Sequence, residues 1–188
     1  TWVGLPSGPN TFNPRIESLV SRWFGNIVGA GNNVGEKMTL FWHNHFVTQM
    51  LTVRDENYTF DYYKTLRENS LGNFRTLTEK MTINAAMLRY LNGNENVVGR
   101  PNENFAREIM ELFTVGKGPQ IGPGNYTNYT EDDVVAAAKV LTGWRALRDS
   151  TESKYFSQLH DKTNKQFSSA FGNKVIKNKE AEEYKELI

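Results

Sequence analysis

Histidine and glutamate are the side chains of this sequence that are best suited to proton transfer or metal binding. The chain has three histidines, and two of them, His43 and His45, lie in the hexapeptide FWHNHF. In a strand, the spacing His-x-His would place both rings on one side, where they could bind one metal ion, whereas in a helix the rings lie about 200° apart. Because we predict a helix here, at most one of these histidines is expected to face a site that also contains Glu108.

The candidate carboxylates come from residues 101–116, PNENFAREIMELFTVG. The spacing of the apolar residues predicts a helix with one buried face, and its terminal glycine is a typical helix end. Glu103 and Glu111 are spaced to form ordinary surface pairs with Arg107. In the alternative interpretation, another element covers Glu108 and Glu111, and a covered carboxylate needs a cation, a donor or a metal.

The third histidine, His160, is followed directly by Asp161 in a predicted loop. A carboxylate beside a histidine can orient the imidazole ring or supply an oxygen ligand to a metal. The same dipeptide is equally suited to a solvated loop without any function. Both interpretations stay open on the local sequence alone.

The composition excludes several classes of function. A net charge of +1 with 23% charged residues argues against an electrostatic nucleic-acid binder. The absence of cysteine excludes disulfides, thiolate zinc sites and cysteine nucleophiles. No apolar run approaches the roughly 18 residues that a transmembrane segment needs. Aromatic residues make up 12% of the chain, which indicates a well-packed interior and leaves some rings for a partner.

The hydrophobic pattern predicts an all-α fold, a single irregular bundle of about six to eight helices with long loops. Residues 1–12 are expected to form an extended arm, and residues 117–129 and 145–179 are expected to be rich in loops. We find no second hydrophobic pattern, so residues 1–188 are interpreted as one helical domain. The chain starts without methionine and ends within a predicted helix, and we therefore expect it to be a fragment of a longer protein.

The individual helices follow from apolar periodicity and capping residues. Asn13-Pro14 starts a first helix with one buried face. Residues 36–53 carry large apolar side chains all round the cylinder, which predicts one helix that is buried on most sides. Further helices are expected at 58–69, 73–92, 131–144 and 180–188. A break is expected near 82–84, and the residues from Thr130 to Asp133 resemble a capping box.

Three motifs in order carry a specific family resemblance. They are KMTLFWHNHF at 37–46, RPNENFAREIMELFTVG at 100–116 and YTEDDVVAAAKVLTGW at 129–144, followed by His160-Asp161 with Lys165 and Gly172 beyond. In these motifs the chain resembles the large bacterial family catalogued as domain of unknown function 1800. The resemblance covers most of the chain and implies a bacterial protein that is often exported to the periplasm or cell surface. It implies no agreed activity.

The resemblance places all three histidines and both candidate glutamates inside family motifs. The leading hypothesis is an exported helical domain with a polar or metal site built from them. The candidate metal ligands are His43, His45, Glu108, Glu111, His160 and Asp161. Mixed imidazole and carboxylate ligands suit Zn, Mn or Fe, so a divalent metal is the candidate cofactor. A metal-bound water, or Glu108 acting as the catalytic general base, would make hydrolysis the expected reaction.

Two other hypotheses use the same residues differently. In the first, the domain is not an enzyme and supports a protein partner at the cell surface, while its polar residues form a hydrogen-bonded core network. An exposed aromatic patch and a solvated or arginine-neutralised Glu108 would favour that hypothesis. In the second, one histidine is the axial ligand of a haem.

Overall fold

The computed structural model describes residues 2–31 and 33–188, and the chain divides into two compact units. The first unit contains the chain up to Tyr90 together with Ala146–Ser153, and the second contains Leu91–Arg145 together with Lys154–Ile188. Whether residues 1–188 act as one domain stays a prediction. Within the described ranges, no helix combines the length and the apolarity that are needed to cross a membrane.

The predicted all-α class, a single irregular bundle of six to eight helices with long loops, is wrong. The described residues contain nine α-helices and three small two-stranded sheets, with 53% of the residues helical and 10% in strands. The fold is therefore mixed and rich in helix. The strands are two or three residues long, which is too short for an alternating apolar pattern to indicate them in the sequence.

The first unit is arranged around its fourth helix. Its helices are α1 Phe12–Gly29, α2 Val34–His45, α3 Met50–Val53, α4 Glu56–Glu68, α5 Phe74–Thr82 and α6 Ala85–Tyr90. The other five helices all contact α4, which buries Tyr62 and Leu66 in the core. Asp55 accepts hydrogen bonds from the backbone N–H groups of Asn57 and Tyr58. This cap satisfies two of the free donors at the start of α4 and sets where the helix begins.

The single helix predicted at 36–53 is wrong in its extent and in its burial. α2 ends at His45, and α3 begins only at Met50. Phe46 leaves helical geometry with φ −93° and ψ 59° and is 1% exposed. Leu40 and Phe41, which the sequence places on a buried surface, are 40% and 54% exposed. The many apolar side chains of this segment are therefore not all buried in one helix: the helix ends so that Phe46 can enter the core, and Leu40 and Phe41 stay exposed.

The break predicted near 82–84 is confirmed. α5 ends at Thr82 and α6 begins at Ala85. Between them, the Asn84 side chain accepts hydrogen bonds from the backbone N–H groups of Ala86 at 3.0 Å and Met87 at 3.4 Å. Asparagine competes with the helical backbone for hydrogen bonds in this way, so it favours the start of a new helix over the middle of an old one.

The second unit is built on α7 Glu103–Glu108 and α8 Glu131–Val140, which pack against each other. α8 buries three consecutive alanines, residues 136–138, whose small side chains allow a close approach. The short terminal helix α9, Tyr184–Leu187, also packs against α8. Close packing of this Ala- and Val-rich helix agrees with the sequence prediction, although the helix ends earlier than residue 144.

The strands of the chain pair in sequence order, β1 with β2, β3 with β4 and β5 with β6. They are β1 Gln120–Gly122, β2 Asn125–Tyr126, β3 Trp144–Ala146, β4 Ser153–Tyr155, β5 Lys165–Gln166 and β6 Val175–Ile176. The β1–β2 and β5–β6 pairs are antiparallel. β1 and β2 lie in the loop predicted at 117–129, so this loop is an ordered hairpin that leads into α8.

The capping box at the start of α8 is confirmed. The Thr130 side chain accepts a hydrogen bond from the backbone N–H of Asp133 at 3.3 Å, and the Asp133 carboxylate accepts one from the backbone N–H of Thr130 at 2.8 Å. Asp133 is fully buried and also accepts hydrogen bonds from the backbone and the hydroxyl of Ser168. The cap therefore connects α8 to the segment after β5.

We expect Thr130→Ala to lower the free energy of unfolding by about 1–2 kcal/mol, because it removes the side-chain acceptor of the Asp133 N–H and the hydroxyl that donates to the buried Asp133 carboxylate. Thr130→Ser keeps the hydroxyl and should retain most of the stability. Urea unfolding followed by circular dichroism measures both changes. A serine variant that is as unstable as the alanine variant would contradict the capping role.

Candidate functional site

The helix of the second family motif changes its geometry between the two candidate carboxylates. α7 ends at Glu108, and the chain continues as a π-helical turn, Ile109–Phe113, that contains Glu111. The backbone N–H of Gly116 donates to the carbonyl oxygen of Met110 at 2.9 Å, and Gly116 has the left-handed φ of +70° that suits a helix end. π-Helical turns are rare and occur frequently at functional sites.

Arg107 forms one of the two pairs that spacing predicts, with Glu103, but its shorter hydrogen bonds go to a third carboxylate. Its guanidinium donates two hydrogen bonds of 2.7 Å each to Glu131 at the start of α8. Glu103 is a second, more distant partner at 3.4 Å, whereas Glu111 pairs elsewhere. The bidentate hydrogen bond lowers the pKa of Glu131 and joins α7 to α8.

Glu111 has two donors of its own. The Tyr129 hydroxyl donates to one carboxylate oxygen at 2.8 Å, and Lys117 Nζ donates to the other at 3.0 Å. These hydrogen bonds, with that from Tyr129 the stronger influence, lower the pKa of Glu111. Lys117 also lies 4.7 Å from the centre of the Tyr126 ring. Glu111 is therefore an ionised carboxylate in a satisfied cluster that includes a half-exposed cation.

Glu108 has the opposite environment. It is half-buried, and we find no hydrogen bond or ion pair to its carboxylate in the described part of the chain. Burial raises the pKa of Glu108, and the negative charge of Glu111 raises it further. The two residues therefore form a carboxylate pair whose pKa values are shifted in opposite directions.

His160 lies in a closed network in the core of the second unit. The side chains of His160, Glu183 and Lys165 are all 0% exposed. Nδ1 of His160 lies 2.9 Å from the carbonyl oxygen of Thr142, and Nε2 lies 2.8 Å from the Glu183 carboxylate. A carbonyl oxygen can only accept, so Nδ1 carries a hydrogen, and one further proton lies between Nε2 and Glu183. Both ring nitrogens are thus occupied inside the fold.

Asp161 serves the same region through its backbone and its side chain. Its carbonyl oxygen accepts a hydrogen bond from Lys165 Nζ at 2.5 Å, and its carboxylate accepts two from Thr163 at 2.6 and 2.8 Å. Burial acts to raise the pKa of Asp161, but the hydrogen bonds from Thr163 outweigh it and lower the pKa. These contacts hold a turn and leave no sign that the carboxylate faces His160.

The two histidines of the first unit lie on a helix, as predicted, and have different neighbours. His43 Nδ1 lies 2.7 Å from the Tyr62 hydroxyl, which donates its own hydrogen to the carbonyl oxygen of Phe46 at 2.7 Å. The hydroxyl has one hydrogen, so Nδ1 of His43 is the donor. Burial lowers the pKa of His43. The His45 ring instead contacts aromatic rings, those of Trp42, Phe46 and Phe74.

The predicted metal ligands divide between the units. His43 and His45 belong to the first unit, and Glu108, Glu111, His160 and Asp161 belong to the second. In the residues that the structure describes, no three His, Asp or Glu side chains are grouped so that they could hold a metal ion. Metal binding stays a prediction, and the contacts assign His160 and Asp161 to the support of the fold.

Asp61 is a titratable group that the sequence does not single out. It lies on α4 and lines a cleft of about 290 Å³ in the first unit together with Lys80, Asn84 and Glu152. The Asn84 amide donates a hydrogen bond to Asp61 at 3.0 Å. Burial raises the pKa of Asp61 to about 6. The sequence carries no signal for this shift, because the residues that cover Asp61 are distant along the chain.

A family model described as a protein of unknown function (DUF1800) matches residues 8–188. The matched range includes the carboxylate pair on the π-helical turn, the buried His160 network and both histidines of α2. No curated protein and no solved structure matches the chain. The family comparison thus confirms the resemblance found in the motifs and adds no activity to it.

We expect Glu183→Gln to lower the free energy of unfolding by about 3–5 kcal/mol. The substitution leaves Lys165 and His160 in the core with an uncompensated positive charge, which is the most unfavourable way to break a buried ion pair. Glu182→Gln is a matched control, because Glu182 is 64% exposed and its loss should cost less than about 0.5 kcal/mol. Chemical denaturation measures both values, and similar losses in the two variants would contradict the role given to Glu183.

Asp61→Asn should stabilise the protein at pH 8 by roughly 1–2 kcal/mol, with no gain at pH 4. The native state of the wild type binds the Asp61 proton more tightly than the unfolded state, since burial raises its pKa from 3.8 to about 6. The wild type therefore loses stability as the pH rises between these two values, whereas asparagine does not titrate. Thermal unfolding at several pH values checks this, and a difference that is independent of pH would refute it.

Proposed function

We propose a function for this chain from the premise that it belongs to the DUF1800 family of proteins of unknown function. The proposed function is hydrolysis at the carboxylate pair of the π-helical turn, with Glu108 as the general base. The observation that carries the proposal is the contrast between two neighbouring carboxylates: Glu111 has two hydrogen-bond donors, whereas half-buried Glu108 has none among the described residues. The pKa values shift accordingly, raised for Glu108 by burial and lowered for Glu111 by the hydrogen bond from Tyr129. A pair of carboxylates with environments this different is typical of sites where one group transfers a proton and the other stays charged.

The surroundings of the pair suit this division of roles. Glu108 is half-buried and has no hydrogen bond or ion pair with any residue that the structure describes, so its carboxylate is available to take a proton from a water molecule that attacks the substrate. Glu111 is held by hydrogen bonds from Tyr129 and Lys117, and its negative charge adds to the larger effect of burial in raising the pKa of Glu108. Lys117 is 40% exposed, and it is the cation that would stabilise negative charge developing on the substrate.

Water activation is assigned to Glu108 in this proposal rather than to a bound Zn, Mn or Fe ion. The reason is geometric, because the described residues contain no group of three ligands. Export to the periplasm or cell surface is the second part of the proposal, and it is supported by the family resemblance alone.

The second candidate function is a non-catalytic domain that binds a protein partner at the cell surface. Two observations favour it. His160, Asp161 and Glu111 all have partners within the fold, as expected for residues that hold a structure together. In addition, Phe24 and Val28 are 61% and 82% exposed and lie one turn apart on α1. The two functions differ in what they require of Glu108.

We expect Glu108→Gln to reduce hydrolysis by at least about 100-fold, because general-base catalysis typically contributes that much or more. The assay is turnover of chromogenic esters, phosphoesters, glycosides and peptides by the 188-residue chain. Glu103→Gln is the matched control, since Glu103 lies on the same helix and is 45% exposed. Equal activity of wild type and Glu108→Gln on a substrate that the chain turns over would exclude Glu108 as the base.

A substrate-independent measurement tests the same pair. In carbon-detected NMR titrations, Glu108 should titrate above the ordinary range of glutamate, and Glu111→Gln should lower its pKa because a nearby negative charge is removed. An ordinary pKa of Glu108, together with no turnover in any substrate class, would favour the partner-binding function.

A further inference from the structure

A cleft of about 530 Å³ opens in the first unit between α1, α4 and the N-terminal arm, which we define as residues 2–11. The residues lining it include Leu19 and Tyr63, which are buried, and Trp2 and Phe60, which are half-exposed. A cleft of this volume with mostly apolar and aromatic walls matches the size and character of a small-molecule site.

The aromatic wall of the cleft is held in place by the arm. The backbone N–H of Gly4 donates to the side chain of Asn57 at 2.9 Å, which ties the arm to α4. The guanidinium carbon of Arg15 lies 5.7 Å from the centre of the Trp2 ring. The Trp2 and Phe60 rings meet edge to face, with centres 6.2 Å apart and planes at 74°. The two rings therefore form a preformed apolar corner.

The polar side chains that line the cleft carry an excess of positive charge. Those with a charge are Arg22, Lys64, Arg67 and the single carboxylate Glu68. Arg67 is neutralised by Glu36 at 2.6 Å, and Glu68 lies 3.9 Å from Lys64. Three cations against two carboxylates leave one positive charge, and Arg22 has no ion pair with any described residue.

We infer that this cleft binds a small amphipathic monoanion, a flat apolar molecule with one carboxylate. Its rings would pack in the corner of Trp2 and Phe60, and its carboxylate would face Arg22. A guanidinium binds a carboxylate through two parallel hydrogen bonds, and aromatic walls supply apolar contact at a low cost in conformational entropy. The inference is independent of the proposed hydrolysis, because Glu108 belongs to the second unit.

Naphthoate is the probe for this site, and naphthamide is its neutral counterpart of the same shape. Isothermal titration calorimetry with the 188-residue chain should show one molecule of naphthoate bound per chain. Naphthoate should bind at least about fivefold more tightly than naphthamide, since only naphthoate compensates the free positive charge. Added salt should weaken the binding of naphthoate and leave that of naphthamide unchanged.

Arg22→Gln should weaken naphthoate binding about fivefold and leave naphthamide binding unchanged. Arg148→Gln is the matched control, because Arg148 belongs to the first unit, is 96% exposed and does not line the cleft. Trp2→Ala should weaken the binding of both molecules by roughly threefold or more, because it removes one aromatic wall. If Trp2→Ala lowers the thermal stability, Phe60→Leu serves as the second test, because it changes the other aromatic ring of the corner.

Three results would overturn the inference. The first is the absence of saturable naphthoate binding, and the second is equal affinity for naphthoate and naphthamide. The third is an equal loss of affinity in Arg22→Gln and Arg148→Gln, which would show that overall charge rather than this cleft attracts the anion. Unchanged thermal unfolding of the two arginine variants would confirm that the comparison is made between folded proteins.

Discussion

The ion pair between Lys165 and Glu183 is the interaction on which the second unit depends. Both side chains are fully shielded from solvent, and a charge in such surroundings is tolerated only with a partner and further hydrogen bonds. His160 supplies the next contact, and its ring connects Glu183 to the carbonyl oxygen of Thr142 just after α8. His160, which the sequence offers as a candidate metal ligand in a loop, is therefore part of the buried core of the second unit.

In the first unit, buried charges at the starts of two helices also have partners of opposite charge. Glu36 and Glu56 lie in the first turns of α2 and α4, where the helix dipole favours a negative charge. Both are nearly inaccessible to solvent, and each has an arginine partner, Arg67 at 2.6 Å and Arg15 at 2.8 Å. These two buried glutamates are thus each matched by an arginine from another helix, whereas the buried Asp133 is satisfied by donors from Thr130 and Ser168. Glu108 differs from all three, because it is half-buried and no described residue donates a hydrogen bond to its carboxylate.

The sequence could predict a feature when the residues that determine it are close together along the chain. The capping box at Thr130 and the break near 82–84 depend on neighbours within a few residues, and both are confirmed. Gly116 has the left-handed backbone expected of a helix stop, although the helical turn before it already ends at Phe113. Tyr129 lies 18 residues from Glu111 and Glu183 lies 23 residues from His160, so periodicity could not reveal these partners. Among the candidate site residues, Glu108 and Glu111 could be named from the motif, whereas the donors Tyr129 and Lys117 could not.

Structural and functional polar residues differ in how their burial affects the stability of the fold. The His160 network places charges in the core and gains hydrogen bonds and helix packing in return. A half-buried carboxylate with a raised pKa lowers stability at neutral pH, and no described residue forms a hydrogen bond or ion pair with Glu108 that would offset this loss. Glu108 directly precedes a π-helical turn, which is a rare geometry. It also lies within the residues that match the family model. Features that lower stability without a compensating structural contact are typical of functional sites. We therefore place the function at Glu108 rather than at the histidines.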